Sequence, residues 1–215
     1  MKKRIAFMII VGLVSVAGIA QGKIFKNPRH LAAKPKGSQY LKEMFASAKV
    51  ENIDQKSFMR YNVFNDEFEF ITPKNDTLIL DKILDLGNIN FIATNTRYKY
   101  VTYTNTNGKL TNGYLISLYE KNGFELFKKQ NITFIEEKIA KTTLEVNMPA
   151  KYVNSSDTYY LRTNNNGIVE FPSNKKELVK LFVERKAAIE AFIKENKIDF
   201  DQEKDMIKII DFLSS

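Results

Sequence analysis

The chain has 215 residues, a formal net charge of +8 and no cysteine. The lack of cysteine excludes a fold held by disulfides and a lipid anchor on an N-terminal cysteine, so stability has to come from an ordinary core. The positive charge lies near the N-terminus: residues 21–43 hold six basic residues and one acidic residue, whereas the chain from Met44 onward is neutral. A basic balance confined to one end is poor evidence for nucleic-acid binding.

The N-terminal residues 1–20 have the pattern of a signal peptide. Residues 2–4 are basic, and residues 5–20 are apolar or small. Gly18 and Ala20 place small residues where a signal peptidase inspects its substrate, so we expect cleavage after Ala20 and export to the periplasm or the exterior. The alternative is an uncleaved anchor, for which the apolar run is at the short edge of the about 20 residues that a bilayer span needs.

Residues 21–38 contain two prolines and little periodicity, which predicts a basic, extended lead-in. Its cations are compatible with a solvated spacer or with a weak, salt-sensitive attraction to anionic envelope surfaces. These cations are Lys23, Lys26, Arg29, Lys34 and Lys36. Residues 39–50 follow with a weak amphipathic pattern that fits either a short helix or an irregular segment.

Alternating apolar and polar residues predict strands between residues 57 and 171. Asn-Gly pairs that begin at Asn107, Asn112 and Asn122 predict tight turns of a meander, because these residues accept positive φ angles. The pattern favours a curved or partly closed antiparallel sheet of about 7–10 strands.

After Pro172 the apolar residues recur at helical spacing. Asn174 and Glu177 have the spacing of a capping box, and Asp199 or Asp201 is positioned to cap a second helix. We therefore predict two amphipathic helices in residues 174–214, packed on the sheet. Together these elements make one α+β domain at residues 39–215.

One nucleophile pattern occurs in this region. Ser173 and Lys176 form a Ser-x-x-Lys at a helix start, where in penicillin-interacting enzymes the lysine reaches the serine. The partner motifs of those enzymes are missing, and Ser173 also suits helix capping. A serine hydrolase therefore stays open as a third functional class, behind the two binding functions given below.

Other chemistry has weaker support. His30 is the only histidine, and zinc sites need a cluster of ligands. Asp66, Glu67 and Glu69 are close in sequence, but the two glutamates alternate with phenylalanines, which predicts the solvent face of a strand. The sequence assigns no catalytic, cofactor-binding or metal-binding residue.

Tyrosines and a lysine interleave at Tyr98, Lys99, Tyr100 and Tyr103, as in platforms that stack nucleic-acid bases. Tyrosine is also an ordinary strand former, and the body of the chain is neutral. We therefore expect no nucleic-acid partner.

The order of these motifs resembles that of a widespread group of exported, flavobacterial-type hypothetical proteins of unknown function. The shared features are a Gly-Ser-x-Tyr-Leu start, a Tyr-Asn-x-aromatic-x-Asp stretch, a Gly-Tyr strand, a Tyr-Tyr strand and a long penultimate helix. They correspond here to residues 37–41, 61–66, 113–119, 159–160 and 189–198. The final helix departs from the group, because Asp211-Phe-Leu213 stands where Tyr-Tyr-Asn is usual. The resemblance implies the same fold and export, and it carries over no site.

Two binding functions remain. One is a non-catalytic binding or envelope-associated module. The other is a carrier of a lipid or other apolar ligand, because a curved sheet covered by amphipathic helices can enclose a cavity.

Overall fold

Long antiparallel strands organise the fold. The structure is a computed structural model that describes residues 34–53, 56–84, 86–142, 144–164 and 166–215. The strands are β1 (Ala46–Val50), β2 (Lys56–Asn62), β3 (Glu67–Ile71), β4 (Thr77–Ile79), β5 (Ile89–Phe91), β6 (Thr96–Thr104), β7 (Leu110–Lys121), β8 (Phe124–Ile135), β9 (Lys151–Thr163) and β10 (Asn166–Glu170). The helices are α1 (Lys175–Leu181), α2 (Lys186–Asn196) and α3 (Glu203–Leu213). The predicted signal peptide, His30 and most of the lead-in lie outside the described residues.

The described strands form one ten-stranded sheet in the order β10-β9-β8-β7-β6-β5-β1-β2-β3-β4. Neighbours in this order pair antiparallel, and β10 curls back to make one parallel pairing, between Ile168 and Tyr103 of β6. The predicted α+β fold with a curved or partly closed antiparallel sheet is confirmed, and the sheet is not a closed barrel. Residues 34–215 make up one compact unit.

Three groups of buried side chains fill this architecture. The first lies among β1, β2, β3 and β5 to β8, and includes Met59, Phe68 and Tyr114. The second joins β8 and β9 to the helices, with Leu126, Leu161, Ile189 and Ile210 at its centre. The third lies among β6 to β10. Both faces of β7 and β8 are therefore covered, which makes this strand pair the common wall of the cores.

The N-terminal part of the sheet differs from the sequence prediction. Residues 46–50 form strand β1 and not a helix, so the sheet begins well before residue 57. Strand β1 pairs with β2 and with β5, which is distant in sequence. Burial of Ala48 and Val50 against these strands explains why tertiary pairing overrides a weak helical pattern.

The predicted helices are present but differ in detail. The first is interrupted at Phe182, where φ is −131° and ψ is 57°, and a 3-10 turn at Val183–Arg185 separates α1 from α2. Asn174 caps α1 as predicted, because its Oδ1 accepts a hydrogen bond from the backbone N–H of Glu177 at 3.0 Å. The predicted aspartate cap of the last helix is wrong, since Gln202 holds that position without a side-chain cap bond.

Within the described part of the chain, every helix is too short or too polar to cross a bilayer.

The predicted meander turns are found at two of the three Asn-Gly pairs. Asn122 and Gly123, with φ of 47° and 80°, connect β7 to β8, and Gly108, with φ of 73°, lies in the turn between β6 and β7. The third pair is not a turn, because Gly113 lies within β7. A Cβ on Gly113 would be 2.7 Å from Oδ2 of Asp66, so the glycine leaves space for a carboxylate.

Replacing Gly113 by alanine is expected to lower the free energy of unfolding by about 1–3 kcal/mol, because the methyl group would displace the Asp66 carboxylate from its partners. Urea denaturation measures the change. Gly167→Ala is the matched control, since a Cβ there meets nothing within 4 Å. An equal effect of the two substitutions would contradict the steric explanation.

Candidate functional site

A cavity of about 360 Å³ opens beside the first core. Its walls come from β1 and β2, from the turn between β5 and β6, and from β7 and β8, while residues 41–44 lie across one side. The wall is mainly apolar and aromatic. The lining side chains of this kind are Leu41, Met44, Ala46, Tyr61, Val63, Phe91, Ala93, Tyr98, Ile116 and Leu118.

The charged residues that line the cavity are all basic. Lys42, Arg60 and Lys128 line it, and no aspartate or glutamate is among its described lining residues. Two of these cations form ion pairs with carboxylates that do not line the cavity. Glu69 lies 2.6 Å from Arg60, and Glu203 lies 2.7 Å from Lys128. The cavity lining therefore carries three cations, of which Lys42 alone has no ion-pair partner among the described residues.

Arg60 is held rigidly. Its guanidinium lies 4.1 Å from the ring centroid of Tyr40 and 4.5 Å from that of Phe45, and it also donates to the carbonyl oxygen of Glu43 at 3.1 Å. These contacts fasten residues 40–45 along the cavity. They were not predicted, because neither the strand pairing of Arg60 nor its stacking on a preceding segment leaves a periodic pattern in the sequence.

Glu69 anchors this arrangement from the next strand. It accepts hydrogen bonds from the Tyr40 hydroxyl at 2.6 Å and from Nε of Arg60 at 2.8 Å. Burial alone would raise the pKa of Glu69, but these donors and the Arg60 charge outweigh it, so the pKa lies below its usual range. The prediction that Glu69 faces solvent is wrong, since it is 8% exposed.

Tyrosines form the inner end of the cavity. Tyr98 donates a hydrogen bond to Oε1 of Gln130 at 3.2 Å, and Tyr61 donates to Asp66. Burial raises the pKa of Tyr98, and burial together with the Asp66 carboxylate raises the pKa of Tyr61 well above its usual range. Both hydroxyls therefore stay protonated at neutral pH and act as hydrogen-bond donors.

The tyrosines considered for base stacking are largely inside the fold. Tyr98 and Tyr103 are each 7% exposed and belong to two different cores. Their ring faces contact other side chains, as in the 4.8 Å packing of Tyr103 on Tyr160. Strand packing explains these aromatic residues without a nucleic-acid partner.

A largely buried ion pair lies where β7 and β8 separate. The register between these strands ends at Ile116 and Lys128, so the backbone of Tyr114 has no partner strand on that side. Lys129 donates to Asp66 and to the carbonyl oxygen of Tyr114 at 3.1 Å, while the Tyr114 N–H donates to Asp66 Oδ2 at 3.2 Å. The pair thus replaces the missing strand hydrogen bonds.

Lys129 is paired but strongly desolvated. Burial lowers its pKa, and the charge of Asp66 partly offsets that effect. Asp66 reaches this position from a left-handed turn residue with φ of 55°. The interaction connects the β2–β3 turn to the β7–β8 wall, which is a structural role.

A second buried carboxylate also has a structural explanation. Glu125 in β8 is completely buried, and it contacts Lys99 at 2.7 Å, the guanidinium of Arg162 and the hydroxyl of Ser117. Two cations and a hydroxyl satisfy the carboxylate, and they connect β6, β7, β8 and β9.

The Ser-x-x-Lys pattern does not form a serine–lysine contact. The Ser173 hydroxyl lies 3.0 Å from Oε2 of Glu177 and 3.1 Å from Nδ2 of Asn174, and Lys176 is not among its hydrogen-bond partners. Glu177 also accepts from the backbone N–H of Ser173 at 2.9 Å. Ser173 therefore belongs to the capping arrangement of α1.

The described residues contain no group of three or more histidine, cysteine, aspartate or glutamate side chains arranged to hold a metal ion. Lys34 and Lys36 of the lead-in are exposed, whereas Lys23, Lys26 and Arg29 lie outside the described residues.

A second depression, lined by α2 and the segments around Asn174 and Phe200, is more open and has no wall from the sheet. The cavity described above is less open and lies between strands and residues 41–44.

Comparison with known proteins gave no match to any family model, to any curated protein or to any solved structure.

Proposed function

We propose that this protein is a non-catalytic binding module that holds a small amphipathic anion in the cavity. The observation that carries the proposal is the wall itself, which combines apolar and aromatic side chains with three cations and no carboxylate. An apolar ligand body would displace water from this wall, and burial of each methylene group contributes about 0.8 kcal/mol. The cavity volume of about 360 Å³ favours a small ligand.

The anionic end of the ligand would lie near Lys42 and Arg60. Lys42 has a free charge at the cavity margin, and Arg60 is already oriented by Tyr40 and Glu69. Tyr61 and Tyr98 would contact the apolar part, and their protonated hydroxyls supply neither a base nor a nucleophile. Binding and release therefore explain this site better than bond-making chemistry does.

We also propose that the protein is exported, so that binding takes place outside the cytoplasm. This proposal rests on the basic start, the apolar run and the small residues at Gly18 and Ala20. We expect the intact mass of the protein in the envelope or culture fluid to correspond to a chain that begins at Gln21. A mass that retains residues 1–20 in that fraction would instead indicate an anchor.

Decanoate and decanol serve as matched probes of the cavity. Calorimetry is expected to show that Lys42→Gln weakens decanoate binding about twofold to fivefold, because one exposed cation is lost, while decanol binding stays unchanged. Ala46→Leu is expected to weaken binding of both probes, because the larger side chain takes up part of the cavity. Glu43→Gln is the charge control beside the site. Equal affinity of wild type and Ala46→Leu for decanoate would refute binding in this cavity.

A further inference from the structure

The loop between β8 and β9, residues 136–150, carries an unusual exposed apolar surface. Leu144 is 95% exposed and Val146 is 82% exposed, and three further apolar side chains around them are about half exposed. These three are Ile135, Ile139 and Met148. Single exposed apolar residues are common on protein surfaces, but five in one loop and its adjoining strand form a patch.

The described residues of the loop, 136–142 and 144–150, are connected by hydrogen bonds. Lys138 and Met148 exchange backbone hydrogen bonds of 2.8 Å in both directions, which closes its base like a hairpin. Beyond that, the Ala140 N–H donates to Oδ1 of Asn147 at 2.7 Å, and the Lys141 N–H donates to Oε2 of Glu145 at 3.1 Å. The loop therefore presents Leu144 and Val146 at a defined tip.

Charges of both signs lie at the base of this tip, with lysines in excess when the neighbouring segments are included. Lys138 and Lys141 are exposed on the loop itself. The first described residues of the chain join the same place, because the N–H of Lys36 donates to the carbonyl oxygen of Ala150 at 2.9 Å and the N–H of Tyr152 donates to that of Lys36 at 2.8 Å. Five lysines thus lie on or next to the loop, at positions 34, 36, 138, 141 and 151, against glutamates at positions 136, 137 and 145.

From this combination we infer that the β8–β9 loop docks on a lipid bilayer that contains anionic lipids. The exposed leucine and valine would enter the boundary between headgroups and acyl chains, and the lysines at the base would lie among the anionic headgroups. The predicted attraction of the lead-in to anionic surfaces then acts at the same end of the fold, through Lys34 and Lys36. This docking is independent of ligand binding in the cavity.

The cysteine-free chain permits a direct test. Val146→Cys and Val183→Cys are each labelled with an environment-sensitive fluorophore; Val183 is 70% exposed on the 3-10 turn and serves as the matched position. With vesicles of equal parts phosphatidylcholine and phosphatidylglycerol, the label at 146 is expected to shift to the blue and gain intensity, and the label at 183 to stay unchanged. No shift at 146, or the same shift at both positions, would overturn the inference.

Two comparisons sharpen the result. In vesicle flotation, Leu144→Ser with Val146→Ser is expected to reduce the bound fraction at least tenfold, whereas Leu110→Ser with Val183→Ser changes it less than twofold. Phosphatidylcholine vesicles alone are expected to leave the label at 146 unshifted. Equal shifts on neutral vesicles would refute the role of the lysines, and a shift without vesicles that grows with protein concentration would assign the loop to self-association.

Discussion

Replacing Lys129 by methionine is expected to lower the free energy of unfolding by about 3 kcal/mol, at the lower end of the range for breaking a buried ion pair. The reason is that Asp66 would lose its cationic partner while its side chain is only 23% exposed. The carbonyl oxygen of Tyr114 would also lose its donor. Urea denaturation at neutral pH measures the change.

The matched control is Lys121→Met, which removes a lysine from an exposed ion pair with Asp211 and is expected to lower the stability far less than Lys129→Met. Asp66→Asn combined with Lys129→Met is expected to cost less than the sum of the single changes, since the two residues interact directly. Strict additivity would show that Lys129 acts without Asp66.

Removing the C-terminal helices, which pack on the sheet, is expected to have the largest effect on stability. Ile210 is completely buried in the second core, and its replacement by alanine is expected to cost about 2–5 kcal/mol. A chain that ends at Pro172 would expose Leu126 and Leu161 of the sheet, and it is expected to show no cooperative thermal transition.

Val183→Ala is the control for the helical region, because the side chain is 70% exposed and its truncation is expected to change stability by less than about 0.5 kcal/mol. A truncated chain that melts cooperatively near the full-length midpoint would show that the helices are an independent appendage. Calorimetric scans of the three variants and the unmodified full-length protein under one set of conditions test this.

The parts of the fold that the sequence predicts are those with local signals. The type I′ turn at Asn122 and Gly123 and the cap at Asn174 depend on neighbouring residues only, and both are found. Strand β1 was missed because its pairing with β5 is long-range. The Asn112-Gly113 pair predicts a turn at Gly113, whereas the contact of Gly113 with Asp66 lies 47 positions away in the chain and leaves no local trace.

The candidate site was less predictable than the fold. Arg60 and Glu69 stand on adjacent strands, and only their register brings them together. Lys42 and Lys128 belong to segments whose approach depends on the curl of the sheet. The alternation of glutamate with phenylalanine in β3 predicted an exposed Glu69, but residues 39–45 cover that face and bury it.

The most direct test of the central claim is a titration of the protein with decanoate, followed by methyl resonances in nuclear magnetic resonance spectra. Binding in the cavity predicts saturable chemical-shift changes for the methyl groups of Leu41, Ile116 and Leu118. The methyl resonances of Ile209 and Ile210 in the helical core are expected to stay unchanged. Saturable shifts confined to the helical core, or no saturable shift at Ile116, would contradict the proposal.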